Sequence, residues 1–269
     1  MPVVGQKGQN PGGRFEASHP KVYPDNYRLQ DREWTPTFFR LWPMLSFAEF
    51  ERAISVPRAA RYLEATRTAQ GETDPVAAIA LYERNSELGA AAWTVIADVE
   101  VVLRNAIATA ISDLHARQRP GSLLRWYDND PTWVNFSGGT LSVIKNAKSK
   151  IKDPGPAGPR PKPDRLIAEC SLGFWRFLLV AAHEHTLWNP AIRAKFTALG
   201  HLSGSDSRKE VHRRVEELNY LRNRIGHHEP IYEPFAIPNR SVNLPDVIAE
   251  AIEMISWCDP KVAGWISSR

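Results

Sequence analysis

Only two cysteines, Cys170 and Cys258, occur in 269 residues. That number rules out a disulfide framework, and their separation gives no zinc-binding spacing. No apolar run reaches the roughly 18–20 residues that a membrane-crossing helix needs. Alternating strand patterns are scarce. Residues 1–20 are rich in Gly, Pro and Gln and lack the apolar core of a signal peptide, so the expectation is a cytoplasmic chain with no membrane partner. Phosphate-binding glycine fingerprints and the Gly-x-Ser-x-Gly elbow are also missing. His183-Glu184-His185-Thr186-Leu187 falls short of the zinc-protease pattern, because leucine stands where the second histidine is required. No metal and no cofactor are expected.

What is present is ordinary globular composition, 43% hydrophobic and 24% charged, with length for one or two domains. The net charge of +4 is a mild pointer to a polyanionic partner. Its distribution is more telling. Lys145, Lys148, Lys150, Lys152, Arg160, Lys162 and Arg165 fall between residues 141 and 165, against only Asp153 and Asp164. Arg208, Lys209, Arg213, Arg214, Arg222 and Arg224 form a second cluster, offset in part by Glu210, Glu216 and Glu217. Both could hold phosphates, with affinity that falls as salt rises. A solvated helix face and a soluble loop are the simpler account.

Residues 1–40 read as a flexible N-terminal segment with aromatic anchors at Tyr27, Trp34, Phe38 and Phe39. A helical domain follows over 41–260, and 261–269 reads as a C-terminal tail. Short helices are expected to open at Ser46-Phe47-Ala48-Glu49 and at Pro57. Asp74-Pro75 starts another by N-cap and first-turn rules, which either runs on or breaks near Ser86 before a long helix ending near Gln118. Residues 119–163 read as a long basic loop with a short helix near 139–150. Helices are expected over 165–183, 190–199, 207–226 and 245–257, with Asp206 capping the third.

The stretch Leu221-Arg222-Asn223-Arg224-Ile225-Gly226-His227-His228-Glu229-Pro230 places an arginine, an amide, two imidazoles and a carboxylate at one helix end. Val211, Val215, Leu218, Leu221 and Ile225 make the apolar stripe of that helix. Asn223 and His227 are i,i+4 neighbours, whereas Arg222 lies roughly 140° from His227 on a regular helix. Histidine suits proton transfer near neutral pH, and the planar guanidinium suits phosphoryl oxygens. Cleavage of RNA without metal needs a base, an acid and positive charge. One chain offers one histidine at the motif position, so two jobs call for two copies. A polar C-cap is the plain alternative.

A second stretch, residues 92–112, is an apolar helix interrupted by Asp98, Glu100 and Arg104. Glu100 and Arg104 are i,i+4 partners, and such a pair in apolar surroundings needs partners or a use. An ion pair that fixes helix register is as simple an account as a functional one.

Arg-x4-His at 222–227 is similar to the R-x4–6-H signature of HEPN-type ribonucleases. With Leu103-Arg104-Asn105-Ala106-Ile107, Gly173-Phe174-Trp175 and the flanking Leu81-Tyr82-Glu83-Arg84-Asn85, the chain resembles the Abi-like (abortive infection) branch of that superfamily from about residue 47 to about 231. The resemblance implies an all-α fold: an up-and-down four-helix bundle carrying an N-terminal helical extension and the basic loop. It implies a metal-independent endoribonuclease, a toxin or phage-defence effector, cutting by 2′-hydroxyl attack at a composite homodimer site. Arg222, His227, Asn223 and Glu100 would be catalytic. Arg104, Asn105, His228, Arg224, Lys148 and Lys150 would hold RNA, and His228 also satisfies the looser spacing. A protein or small-RNA antitoxin fits such a family. The alternative is a non-catalytic HEPN module that binds RNA, a nucleotide or a partner protein.

Overall fold

In the computed structural model, which describes residues 45–238 and 240–269, one helix organises the rest. This helix, α3 (Pro75–Gln118), has 44 residues, about 66 Å at 1.5 Å per residue. Asp74 starts it, its carboxylate accepting from the N–H groups of Val76 and Ala77 at 2.9 and 3.0 Å, with Pro75 in the first turn. There is no break near Ser86. Asn85, which could have opened a turn, is buried and spends its amide on a distant segment instead of its own backbone.

Before it come α1 (Phe47–Ile54) and α2 (Val56–Ala65), the two short helices expected from the sequence. They dock through aromatic edges: Phe50 and the fully buried Tyr62 both meet Tyr82 of α3, with ring centroids 5.3 and 5.2 Å apart. The expectations for residues 1–40 fall outside the described residues. Phe47–Arg269 is one compact unit.

The 119–163 segment is not a solvated loop. It holds α4 (Gly138–Ile151), capped by Ser137, whose hydroxyl accepts from Thr140 N–H at 3.2 Å. Around it a polar cluster is drawn inward. The Asp128 carboxylate is 5% exposed and binds Lys148 and both terminal nitrogens of Arg160, which reaches Asp153 at 2.7 Å as well. Trp126 is buried among Tyr127, Phe136, Phe174 and Trp175.

The helix expected over 165–183 is two short helices, α5 (Pro163–Glu169) and α6 (Leu172–Phe177), separated at Cys170-Ser171, where the backbone is extended. The carbonyl of Cys170 accepts from the Trp175 indole at 3.1 Å, so the break leaves that buried acceptor satisfied. The helix expected over 190–199 is replaced by short turns at Ile192–Lys195 and Thr197–Leu199, which bury Ile192, Phe196 and Leu199.

Next comes α7 (Gly204–Gly226), capped by Ser203 rather than Asp206. The two form a reciprocal box: Ser203 Oγ accepts from Asp206 N–H at 3.0 Å and donates to its carboxylate at 2.7 Å. A small antiparallel hairpin, β1 (Phe235–Ile237) and β2 (Arg240–Val242), pairs Phe235 with Val242. Two helices close the chain, α8 (Leu244–Ser256) and α9 (Pro260–Ser267). The last of these corrects the expected tail: Asp259 caps it, and Ala263 and Ile266 are buried.

The core lies where α3 meets α6, α7 and α8. Ile96, Val99, Leu103, Ile107 and Ile111 face Val211, Val215, Leu218 and Leu221 of α7 and Val247, Ala251, Met254 and Ile255 of α8, all within one buried cluster. The fold is mostly helical. Among the described residues no helix is long and apolar enough to cross a membrane.

Candidate functional site

The end of α7 is fixed from three sides. Helices α3 and α7 approach so closely there that the Ile225 side chain lies 3.5 Å from where a Cβ on Gly89 would stand. Beyond α7 the chain turns through His227, the C-cap, and His228, which takes a positive φ of 55°. Left-handed backbone is enriched in histidine relative to most side chains, and here it ends the helix where glycine often does. Asn85 then clamps the following segment. Its Nδ2 donates to Glu229 O at 3.3 Å, and its Oδ1 accepts from Ile231 N–H at 2.7 Å. From α2, Arg58 donates to the His227 carbonyl at 3.2 Å. Asn85 was named from the sequence only within the flanking Leu81–Asn85 segment and given no role, and Arg58 was not singled out. An amide in the middle of a helix-favouring run was the available signal for Asn85, and Arg58 offered none.

Arg222 meets the second stretch. Its Nε lies 3.7 Å from Glu100 Oε2, and its guanidinium lies over the Trp93 ring, 5.4 Å from the centroid. The meeting follows from helix geometry. Side chains tilt towards the N-terminus of their own helix, so on two antiparallel helices Arg222 and Glu100 lean towards each other from different levels. The Arg222 side chain keeps 32% exposure, and the pair stands at the edge of solvent.

The other expected residues divide. Asn223, His227 and His228 are exposed. The exposed imidazole of His227 has no hydrogen-bond partner among the described residues, although the residue's backbone N–H donates to Asn223 O at 2.9 Å. Arg224 turns back on the loop, donating to Pro230 O at 2.7 Å, pairing with Glu229 at 3.0 Å and lying over Phe235. It is a strut of the turn. Arg104 and Asn105 line a different cleft of about 540 Å³ with Asp164 and Ile167 of α5, where the Arg104 Nε is buried without a hydrogen-bond partner among the described residues. Lys148 is committed to Asp128, and exposed Lys150 pairs with Glu169 at 3.2 Å, so neither joins the α7 end.

Of the hollows that adjoin the motif, two meet at His228. One, about 480 Å³, runs between α3 and the turn past Ser86, Gly89, Trp93, Ile225 and His228. The second, about 260 Å³, lies on the other side of His228, against α2. His228 and Glu229 line both, whereas His227 lines neither. No group of three His, Cys, Asp or Glu side chains among the described residues could hold a metal ion. His183, buried at 5% exposure, is held below the usual histidine range by desolvation. Compared with known proteins, the chain matches no family model, no curated protein and no solved structure.

Proposed function

We propose that this chain is a metal-independent endoribonuclease of the Abi-like HEPN type, a toxin or phage-defence effector whose composite site is built by two copies. In this reading the HEPN four-helix bundle is α3, the α5–α6 pair, α7 and α8. The observation that carries the proposal is the meeting of Arg222 with Glu100 at 3.7 Å, which brings together two polar motifs more than a hundred residues apart in sequence. An arginine held by one carboxylate, partly open to solvent, keeps donors for a phosphate.

The chemistry assigned to these groups is a phosphoryl transfer within the RNA strand. One imidazole takes the proton of the 2′-hydroxyl, and that oxygen attacks the adjacent phosphorus. The 5′-oxygen leaves with a proton from a second imidazole, which yields a 2′,3′-cyclic phosphate and a 5′-hydroxyl. Two His227 side chains from two copies supply the two roles. Arg222 offsets charge on the phosphoryl oxygens, and Asn223 and Glu100 orient the groups. A face for the second copy runs along α3, where Ala90, Trp93, Thr94, Ala97, Val101 and Asn105 are exposed and carry no charge. A protein or small-RNA antitoxin belongs to the same proposal. One observation favours the alternative of a non-catalytic module that binds RNA, a nucleotide or a partner protein: the His227 ring has no orienting partner among the described residues.

Total RNA incubated with the wild type in EDTA tests the proposal. Cleavage leaving 2′,3′-cyclic phosphate ends is expected, with Arg222→Ala slower by ~10²–10³ and His227→Ala at least as impaired. His228→Ala should retain more activity than His227→Ala. Equal rates for wild type and His227→Ala would remove the assignment, and binding of RNA without cutting would favour the alternative.

A further inference from the structure

The smaller hollow beside the motif has an unusual charge balance. Its walls include Pro57, Arg58 and Arg61 from α2 and His228, Glu229 and Pro230 from the turn after α7. Two arginines on successive turns of one helix therefore face an imidazole across about 260 Å³. Of the carboxylates near Arg58 and Arg61, Glu229 pairs with Arg224 at 3.0 Å and Glu64 is gripped by Arg67 through two bonds of 2.6 Å, whereas Glu233 lines the neighbouring hollow with Arg61. Arg61 is exposed and has no carboxylate partner among the described residues. Arg58 is half-buried and already touches the motif through the His227 carbonyl.

The walls are also preformed. Ser55 and His228, on opposite sides, both hold positive φ angles, 81° and 55°. Such conformations persist only where the surroundings enforce them. Tyr62 of α2, fully buried, packs on Tyr232 just past the turn, which fixes the distance between the walls. Because His228 and Glu229 are shared with the larger hollow, the two form one path that passes the motif.

We infer that Arg58 and Arg61, with His228, form a phosphate subsite that takes the phosphodiester next to the scissile one along an RNA strand. This assignment rests on the RNA-cutting reading and extends its footprint onto the N-terminal helical extension. A phosphodiester suits the pocket because guanidinium forks match its oxygens.

The test separates binding from cutting by using a labelled 2′-O-methyl hexanucleotide, which lacks the attacking hydroxyl. Its affinity is measured for the full chain at several salt concentrations, for wild type, Arg61→Gln and Lys209→Gln, a solvent-exposed cation near the opposite end of α7. Arg61→Gln is expected to weaken binding by ~10-fold and to reduce the salt slope by about one, while Lys209→Gln stays within ~2-fold of wild type. Arg61 is exposed, so an unchanged thermal melt shows that any loss is not unfolding. Wild-type affinity and slope in Arg61→Gln overturn the subsite, as does a wild type that does not bind the hexanucleotide. If ATP binds through Arg61 as tightly as the hexanucleotide, the pocket takes free nucleotides and the strand assignment is overturned. A wild type that binds through Arg61 but leaves total RNA intact refutes the nuclease reading and with it the placement beside a scissile bond, and leaves Arg58 and Arg61 as a phosphate subsite for a bound strand.

Discussion

In the 119–163 segment Arg160 is 8% exposed and gripped by two carboxylates, whereas at the end of α7 Arg222 is 32% exposed and shares one longer contact with Glu100. Both lie in clusters that look alike as lists of basic residues. Arg160 and Lys148 of the first cluster are consumed inside the protein, whereas Lys145, Lys152, Lys162 and Arg165 stay exposed. Burial pushes the Asp128 carboxyl up, but the bonds from Arg160, the Arg125 N–H and Lys148 outweigh it and hold the group below its ordinary range. The first half of α7 behaves likewise: Arg208 binds Glu184 at 2.9 Å, and Arg213 and Arg214 serve Glu210, Glu250 and Glu253. Charge available to a ligand is what remains after the fold has taken its share, and Arg58, Arg61 and Arg222 near the two histidines belong to that remainder.

Removing the anion from the consumed cluster should have the largest effect. Asp128→Ala leaves Arg160 buried without one of its two carboxylates and is expected to cost about 3–5 kcal/mol of stability in a urea melt. A loss below ~1 kcal/mol would show that the cluster is surface-like after all. Asn85→Ala strikes the other region. With the Ile231 N–H and Glu229 carbonyl unpaired, a loss of about 1–3 kcal/mol is expected, together with slower RNA cleavage because the turn carrying His227 and His228 loosens. Intact cleavage in that variant would detach the turn from the chemistry.

Acid sharpens the same contrast. Bonds from Arg213 first, and then from Arg214, hold Glu210 down at about 2 from an ordinary 4.5. Its folded value lies below its unfolded one, so its contribution is complete above about 4.5 and is lost as pH falls towards about 2. Stability should therefore decline over that window, more gently in Glu210→Gln, as urea midpoints taken from pH 6 downward would show. The smallest effect is expected at Lys150→Ala, where the exposed pair with Glu169 is worth under ~1 kcal/mol. A large change there would mean that the α4 surface holds a ligand.

Periodicity and capping carried most of the architecture. Asp74-Pro75 marked the start of α3 because its carboxylate and ring act locally, and the stripe from Val211 to Ile225 marked α7. The break at Cys170-Ser171 was not legible, because a buried indole four residues beyond Ser171 stabilises it rather than any turn residue. The cap of α7 was misplaced by three positions, since Ser203 and Asp206 each satisfy the other. At the site, spacing named Arg222, His227 and Glu100 but not the supports. Arg58 and Asn85 act on residues 169 and 144 positions away, beyond any local pattern.

The uninterrupted α3 also sets an order of events during synthesis. Its apolar faces are complete once residue 118 is made, but α7, which covers one of them and carries Arg222, follows roughly a hundred residues later. At about 5–20 residues per second, that delay is on the order of ten seconds. Throughout it, Glu100 and Trp93 have no Arg222 to meet, and both hollows lack the turn that closes them. A nascent or truncated chain that stops before α7 therefore lacks the pairing of Arg222 with Glu100 and the turn that carries both histidines.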